Sequence, residues 1–242
     1  MMTSKTKSIS ARITEGAISA ETSDYELAQD ILEGNIVILK NAFLPDEARQ
    51  LRDSAFNWGR SQTPSAPADF YALKNDNHFC THQGVSNGQK TLHYYHSYNF
   101  NNFTRDLPDD LTRPLTRFCS HLRELYNRIT GNRASFAGDP RLHPQIIHYP
   151  SGAGFFAKHT HLLEPQKIGT ITALSQPGLE YTSGSVGFEV SGELVDIAAL
   201  QDIGDVTLFR FDLPHWVTPV DIEDRVDRDS SRGRWVLTLS YY

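Results

Sequence analysis

Between residues 23 and 131 the apolar positions recur at helical spacing. The pattern predicts three helices, over residues 23–34, 45–59 and 110–131. Ser23 and Glu26 stand at capping-box spacing at the start of the first helix, and Gly34 is a typical end signal. Pro45 marks the start of the second helix. A short run of β-branched residues at 36–39 predicts a buried strand between the first two helices.

After residue 131 the apolar period changes from helical to strand-like. Segments rich in β-branched and aromatic residues are separated by Gly, Pro or Asp turns, and they predict strands over residues 145–149, 168–174, 186–190, 194–197, 206–211 and 235–242. Helices followed by six or more short strands predict an α+β, mainly β fold. We expect an antiparallel barrel or jelly roll with N-terminal supporting helices.

The same pattern predicts the organisation of the chain. Residues 1–22 are rich in Ser, Thr, Lys and Arg, and we expect a flexible or locally helical tail. Residues 23–242 are expected to form a single domain, with helical support and a lid in 23–131 and the barrel core in 132–242. The lid prediction rests on the long polar and aromatic segment at 70–103, which suggests a mobile cover over a small-molecule substrate.

Composition excludes several classes of protein. The 242-residue chain has 23 basic and 29 acidic side chains and a net charge of −6, which does not fit a nucleic-acid binder. The longest strongly apolar run is four residues, far short of a membrane-spanning helix. Cys80 and Cys119 form no disulfide framework and suit a reducing compartment, so a cytoplasmic protein without nucleic-acid or membrane partners is expected.

Histidines are the strongest chemical signal in the sequence. His159 and His161 stand at i and i+2, which places both side chains on one side of an extended segment. His215, carried by a distant strand near residues 206–211, would complete a facial set of three ligands. Such a set leaves open positions on one side of the metal, as oxygen-activating iron chemistry requires.

Two other groups of histidines in the sequence are candidate metal sites. His78, Cys80 and His82 alternate and are ligand types that suit zinc, but no partner pair lies at zinc-finger spacing. His93 and His96 stand at helical i, i+3 spacing with no further acid at a useful distance. The sequence favours polar lid residues for the first group and substrate-lining or surface residues for the second.

The surroundings of His159 resemble the prolyl-hydroxylase-like branch of the Fe(II)/2-oxoglutarate oxygenases. That family has a Y-x-x-G motif followed by an aromatic residue and H-x-D, and the matching positions here are Tyr149, Gly152, Phe156 and His159. Residues 204–209 resemble its turn and penultimate strand, 215–220 its H-x-V-x-P-V motif, 233–237 its basic residue and final strand, and 34–45 its N-terminal entry. The resemblance covers about residues 30–58 and 143–242, and it implies a double-stranded β-helix.

The sequence departs from the family pattern at the carboxylate ligand, because His161 stands in its place. Three interpretations follow. His161 replaces the carboxylate in a three-histidine centre, which is the interpretation we favour. Alternatively it turns away and leaves a two-histidine metal, or iron is lost or held with help from Glu164.

The resemblance also implies a basic residue that binds the distal carboxylate of 2-oxoglutarate. Arg225 lies ten residues after His215, but Arg234 directly precedes the final alternating strand, where the family places its basic residue, so we favour Arg234. The resemblance places Tyr149 in the same pocket.

On this basis we expect an iron-dependent dioxygenase that couples 2-oxoglutarate decarboxylation and O2 activation to oxidation of an organic substrate. The expected metal and catalytic residues are His159, His161 and His215, and the cofactor-binding residues are Arg234 and Tyr149. Arg210 and Thr172, with Thr170, are candidate substrate contacts if their strand faces point inward. Two alternatives stay open: a three-histidine dioxygenase that does not use 2-oxoglutarate, and a non-catalytic binding protein on the same barrel.

Overall fold

A computed structural model describes residues 5–62, 75–80, 83–86, 89–100, 107–138 and 141–241. For residues 75–80, 83–86 and 89–90 it describes the backbone alone. Within these ranges the chain forms three helices and fourteen strands.

The three predicted helices are confirmed as α1 (Asp24–Leu32), α2 (Pro45–Arg60) and α3 (Asp109–Thr130). The capping box of α1 is present: Glu26 donates its backbone N–H to the Ser23 hydroxyl, and Ser23 donates its own to the Glu26 carboxylate. Gly131 ends α3 in the left-handed conformation. None of these three helices combines the length and the apolar composition needed to cross a membrane.

All seven predicted strands are present, with others before and between them. The strands are β1 (Thr6–Thr14), β2 (Ala17–Ala20), β3 (Ile36–Lys40), β4 (Asn75–Cys80), β5 (Gln83–Ser86), β6 (Gln89–Phe100), β7 (Leu142–Pro150), β8 (Phe155–His159), β9 (Ile168–Ala173), β10 (Val186–Val190), β11 (Glu193–Asp196), β12 (Val206–Arg210), β13 (His215–Val217) and β14 (Gly233–Tyr241).

The strands form two sheets that share β6. The minor sheet has the order β11-β10-β13-β8-β6, and the major sheet has the order β6-β7-β14-β9-β12-β3-β1-β2. Strand β6 pairs with β8 through His93 and Tyr94 and with β7 through residues 96–99. The chain is therefore mainly β, with the two-sheet barrel of a double-stranded β-helix.

Two separate apolar cores hold this barrel and its helices together. One core lies inside the barrel and includes Tyr149, Ile171, Phe209 and Val236. The other lies between the helices and the outer face of the major sheet and includes Trp235 and residues from all three helices. Because side chains alternate along a strand, β7, β9, β12 and β14 contribute alternate residues to each core.

The predicted flexible tail at residues 1–22 is wrong for the part that the structure describes. Residues 6–20 form β1 and β2, and β1 pairs in parallel with β3 at the edge of the major sheet. Ile9, Ala11 and Ile13 recur with a period of two and pack on the helix-side core. The polar residues between them face away, so the composition of the segment concealed its alternation.

The predicted lid is also wrong where the structure describes side chains. From Thr91 to Phe100 most side chains are buried in β6. His93 and His96 are buried residues of this strand, so neither the helical i, i+3 arrangement nor the surface position predicted for them is present. Strands β3 and β6 belong to the barrel sheets, so the predicted division between support in 23–131 and barrel in 132–242 is wrong as well. The side chains of His78 and Cys80, and the whole of His82, lie outside the described residues.

Strand β7 also carries a buried histidine whose protonation is expected to control stability at low pH. The His148 ring stacks on Trp235 at 4.1 Å between centroids, and its Nε2–H donates to the Arg232 carbonyl at 2.9 Å. Burial lowers the pKa of His148 to about 4, against a weaker opposing effect of that hydrogen bond. The unfolded chain therefore takes up this proton first as the pH falls.

We predict that the lowered pKa of His148 makes the free energy of unfolding depend on pH. The neutral, buried ring contributes about 3 kcal/mol that is fully present above pH 6.5 and is lost as the pH falls to about 4. His148→Gln keeps a donor for the Arg232 carbonyl but removes the titration. Urea unfolding between pH 4 and 7 should show a shallower pH dependence in this variant than in the wild type. An unchanged slope would contradict the prediction.

Candidate metal centre

The minor sheet brings three histidines together inside the barrel. His159 ends β8, His215 begins β13, and the two residues are direct partners in the antiparallel pairing of these strands. His161 follows two residues after β8. One ring nitrogen from each of the three lies within 4.8 Å of the others. The three nitrogens converge on one point, as the ligands of a single ion do.

Backbone carbonyls orient two of these rings. His159 Nδ1 lies 2.9 Å from the carbonyl oxygen of Ala157, and His215 Nδ1 lies 2.9 Å from that of Leu213. A carbonyl only accepts, so Nδ1 carries the proton in each ring. Each Nε2 therefore keeps its lone pair for a metal, the arrangement typical of metal-bound histidines.

Aromatic side chains pack against all three rings. Phe156 stacks on His159 at 4.0 Å between centroids, and Phe211 stacks on His161 at 4.3 Å and 3°. Phe209 lies 5.0 Å from His215. These contacts restrict ring rotation and keep one side of the cluster dry.

Burial also keeps the three imidazoles in the neutral form that binds a metal. It lowers the pKa of His159, and it lowers the pKa of His161 to about 3 with a smaller contribution from His159. The pKa of His215 is lowered well below its usual value, again mainly by burial. Protons therefore do not compete with a metal for these nitrogens near neutral pH.

The structure also bears on the other proposed ligands. Among the described residues the cluster of potential ligands contains the three histidines and no carboxylate, and Glu164 is an exposed residue outside it. His161 lies with its two partners rather than turned away. This geometry supports a three-histidine cluster over a His161 that turns away and over Glu164 as a ligand.

Arg234 lies in the same barrel as the histidines. It is 3% exposed on β14, and its direct partner on β7 is Tyr149, which is also buried. Within the described residues Arg234 pairs with no carboxylate, and its Nε has no hydrogen-bond partner. A buried guanidinium without a counter-charge is unfavourable, so the pocket is suited to an anion. Arg225, the alternative, lies in an exposed stretch of the 221–232 loop.

Two neighbours of Arg234 were missed by sequence reasoning. Arg234 Nη1 donates to the Tyr181 hydroxyl at 2.8 Å, and Nη2 donates to the side-chain carbonyl of Gln201 at 2.5 Å. Both residues are 5% exposed and lie outside the regular strands. A single Tyr or Gln in a loop carries no periodic signal by which it could have been found.

The structure contradicts the substrate-binding role predicted for Arg210. This residue is the last of β12 and has the same parity as Val206 and Leu208, which face the helix-side core. Its Nε pairs with Asp212 at 2.7 Å, and Nη1 donates to the Leu32 carbonyl. Arg210 therefore lies outside the barrel.

The same alternation contradicts the role predicted for Thr172 and Thr170. Ile171 of β9 packs inside the barrel, whereas Ile168 and Leu174, of opposite parity, pack on the helix side. Thr170 and Thr172 share the parity of Ile168, so both point away from the histidine cluster. Every residue of β9 is buried, and for this reason the sequence pattern did not reveal the two faces.

Comparisons with known proteins agree with this fold. No family model and no curated protein matches the sequence. Among solved structures, a Pseudomonas putida prolyl-4-hydroxylase has a TM-score of 0.57 at 14% identity, over 90% of this chain and 97% of that one. A putative oxygenase from Shewanella oneidensis has a TM-score of 0.57 at 13% identity, over 96% and 88%.

A third similar structure is SnoN, a non-heme alpha-ketoglutarate-dependent epimerase from nogalamycin biosynthesis. Its TM-score is 0.55 at 10% identity, over 90% of this chain and 83% of that one. These likenesses confirm the predicted double-stranded β-helix and the resemblance to the prolyl-hydroxylase-like fold. At such identities they show the fold alone, and the chemistry has to be argued from the residues.

Proposed function

We propose that this chain is an Fe(II)- and 2-oxoglutarate-dependent oxygenase that oxidises a small organic molecule. One observation carries the proposal: Arg234, buried and without a carboxylate partner among the described residues, lies in the barrel that also holds three converging histidines. A metal site alone would fit many reactions. A metal site with a separate buried cation fits a co-substrate that chelates metal at one end and carries a carboxylate at the other.

In this proposal His159, His161 and His215 hold Fe(II) through their ring nitrogens. Three neutral imidazoles leave the site with a charge of +2, one unit more positive than a site with a carboxylate ligand, and this favours an anionic chelator. When bound, iron, O2 and 2-oxoglutarate supply the oxidising chemistry, with succinate and CO2 as the co-products. His159 and His215 keep their ring orientation through the hydrogen bonds of their Nδ1 atoms to backbone carbonyls.

The remaining residues of the pocket are proposed to bind the co-substrate and to limit which molecules enter the barrel. Arg234 is proposed to bind the distal carboxylate, because a guanidinium presents parallel N–H donors to both oxygens. Tyr149 forms the adjoining wall with Tyr95, at 5.8 Å between ring centroids. Because His159 and His215 are at most 9% exposed, a reacting carbon has to enter the barrel, which favours a small substrate.

An anaerobic titration tests the proposed function. Fe(II) is added to the metal-free protein with and without 2-oxoglutarate, and the metal-to-ligand charge-transfer band is recorded. We expect the band only when the protein, Fe(II) and 2-oxoglutarate are all present. We also expect succinate to form after O2 is admitted. Iron binding without the band would favour a three-histidine dioxygenase that does not use 2-oxoglutarate. No binding of iron would favour a non-catalytic protein.

His161 has its own prediction because it marks the departure from the family pattern. His161→Ala is expected to weaken Fe(II) binding by roughly 10–100-fold or more, since it removes one of three ligands. His161→Asp is expected to retain iron but to shift the charge-transfer band, because it lowers the charge of the site by one. Titration with Fe(II) measures both effects. If His161→Ala binds Fe(II) with wild-type affinity, the metal is held by two histidines and our interpretation is wrong.

A further inference from the structure

We propose that Gln201 determines what the Arg234 pocket accepts, by leaving the guanidinium uncompensated so that it binds a carboxylate. The identity of the ligand as 2-oxoglutarate rests on the proposed function. The preference for an anion follows from the directions of the hydrogen bonds around Arg234.

The guanidinium fixes the orientation of the Gln201 amide. Arg234 can only donate, so Gln201 has to present its carbonyl oxygen to Nη2. The amide nitrogen of Gln201 then points to Thr207, and it donates to the Thr207 hydroxyl at 2.8 Å. Thr207 lies on β12 and is fully buried.

This chain of bonds leaves donors and no charged acceptor. The Tyr181 hydroxyl accepts from Arg234, and the Thr207 hydroxyl accepts from Gln201, so each hydroxyl keeps its own hydrogen. Within the described residues the Nε of Arg234 has no hydrogen-bond partner. One positive charge and the buried Nε donor therefore await an acceptor that the described part of the chain does not supply.

Another buried arginine in the same chain is neutralised by carboxylates of the protein itself. Arg52 is 8% exposed, and its guanidinium bonds to the carboxylates of Glu180 and Asp53 at 2.7 and 2.8 Å. Arg234 is more deeply buried but has a neutral amide where Arg52 has carboxylates. The amide holds the guanidinium in place without neutralising it, and this is what a binding site for an external carboxylate requires.

The test is Gln201→Glu, a nearly isosteric change that gives Arg234 an internal carboxylate. We expect the metal-free variant to unfold at a higher temperature than the wild type, because a charge that is already buried gains a partner. We expect the dissociation constant of 2-oxoglutarate, with Fe(II) present, to rise at least about tenfold, because the new carboxylate competes for the guanidinium. A residue with a merely structural role would not move stability and affinity in opposite directions.

Gln176→Glu is the matched control. Gln176 also accepts from an arginine, Arg49, at 2.8 Å, but outside the barrel, and the substitution changes the net charge by the same amount. Its 2-oxoglutarate affinity should equal that of the wild type. Unchanged affinity in Gln201→Glu, or an equal loss in Gln176→Glu, would overturn the proposal.

A second measurement does not depend on the folding of any variant. Glutarate has two carboxylates and no keto group, so it probes the Arg234 pocket without chelating metal. It should raise the melting temperature of the metal-free wild type, whereas the neutral diamide glutaramide should not. An equal response to both compounds would overturn the proposal. If glutarate stabilises the wild type but 2-oxoglutarate gives no charge-transfer band with Fe(II), the proposed function fails and the carboxylate pocket stands.

Discussion

Replacing Arg234 with leucine is expected to raise the dissociation constant of 2-oxoglutarate by roughly 30-fold to several thousand-fold, while Fe(II) binding stays nearly unchanged. Loss of one partner from a buried, hydrogen-bonded charge pair typically costs about 2–5 kcal/mol, which corresponds to that range. Arg234 is 3% exposed and its guanidinium bonds to Tyr181 and Gln201, so water cannot easily take its place. His159 and His215 lie on β8 and β13, and His161 follows β8, so the nitrogens proposed to bind the metal should keep their geometry.

The charge-transfer band under anaerobic conditions measures this effect, with Fe(II) affinity measured separately. Arg225→Leu is the control, because Arg225 lies in an exposed loop and its loss should change the 2-oxoglutarate affinity by less than about threefold. Wild-type affinity in Arg234→Leu would refute the pocket. A large loss in Arg225→Leu alone would show that the ten-residue spacing from His215 was the better guide.

The second large effect is expected at the metal ligands. His159→Ala and His215→Ala should each lower the Fe(II) content of the purified protein from about one ion per chain to nearly none. Either change leaves two neutral ligands, and the described residues place no carboxylate in the cluster to take over. A whole ligand contributes more than the roughly 10–100-fold that residues behind the ligands contribute. Metal analysis of protein purified with excess Fe(II) measures the loss.

The barrel should remain folded in both variants, because its interior core does not depend on these two rings. His121→Ala is a suitable comparison, because His121 is a buried histidine outside the cluster. It joins α3 to the β1–β2 turn through a hydrogen bond to the Gly16 carbonyl at 2.6 Å. That variant should lose some stability but keep its iron. Circular dichroism and metal content together separate the two kinds of change. Iron at wild-type levels in either ligand variant would refute the assignment.

The helices could be predicted because their signals are local. The capping box at Ser23, the proline at the start of α2 and the glycine after α3 act within one turn of the chain. The strands of the second half were equally accessible, since turn residues separate their apolar runs. His159 and Arg234 could be found because the motifs around them resemble those of the prolyl-hydroxylase-like oxygenases.

Strands that depend on pairing with distant segments could not be predicted from local signals. Strand β1 is stabilised by parallel pairing with β3, some thirty residues later, and β6 by pairing with both β7 and β8. In each case the segment alone is polar or irregular in pattern. The burial that makes it a strand comes from partners that a sequence window does not contain.

The direction in which a strand residue points was also decided by the tertiary structure. Arg210 and Thr172 lie on strands whose two faces are both buried, so composition does not distinguish the barrel interior from the helix side. A shift of one residue exchanges the two faces, and only the assembled sheets determine which is which.

The sequence by itself indicated the fold class and the elements with local end signals through its periodicity. It indicated the histidines and the arginine of the proposed site through motifs that resemble a known family. Tertiary structure decided that His161 lies with its two partners, that Thr172 and Arg210 point away, and that Tyr181 and Gln201 surround Arg234. Tyr181 and Gln201 lie 53 and 33 positions before Arg234 in the chain. The physical reason is that burial, charge pairing and hydrogen-bond direction are properties of the neighbourhood in space, and chain order does not specify that neighbourhood.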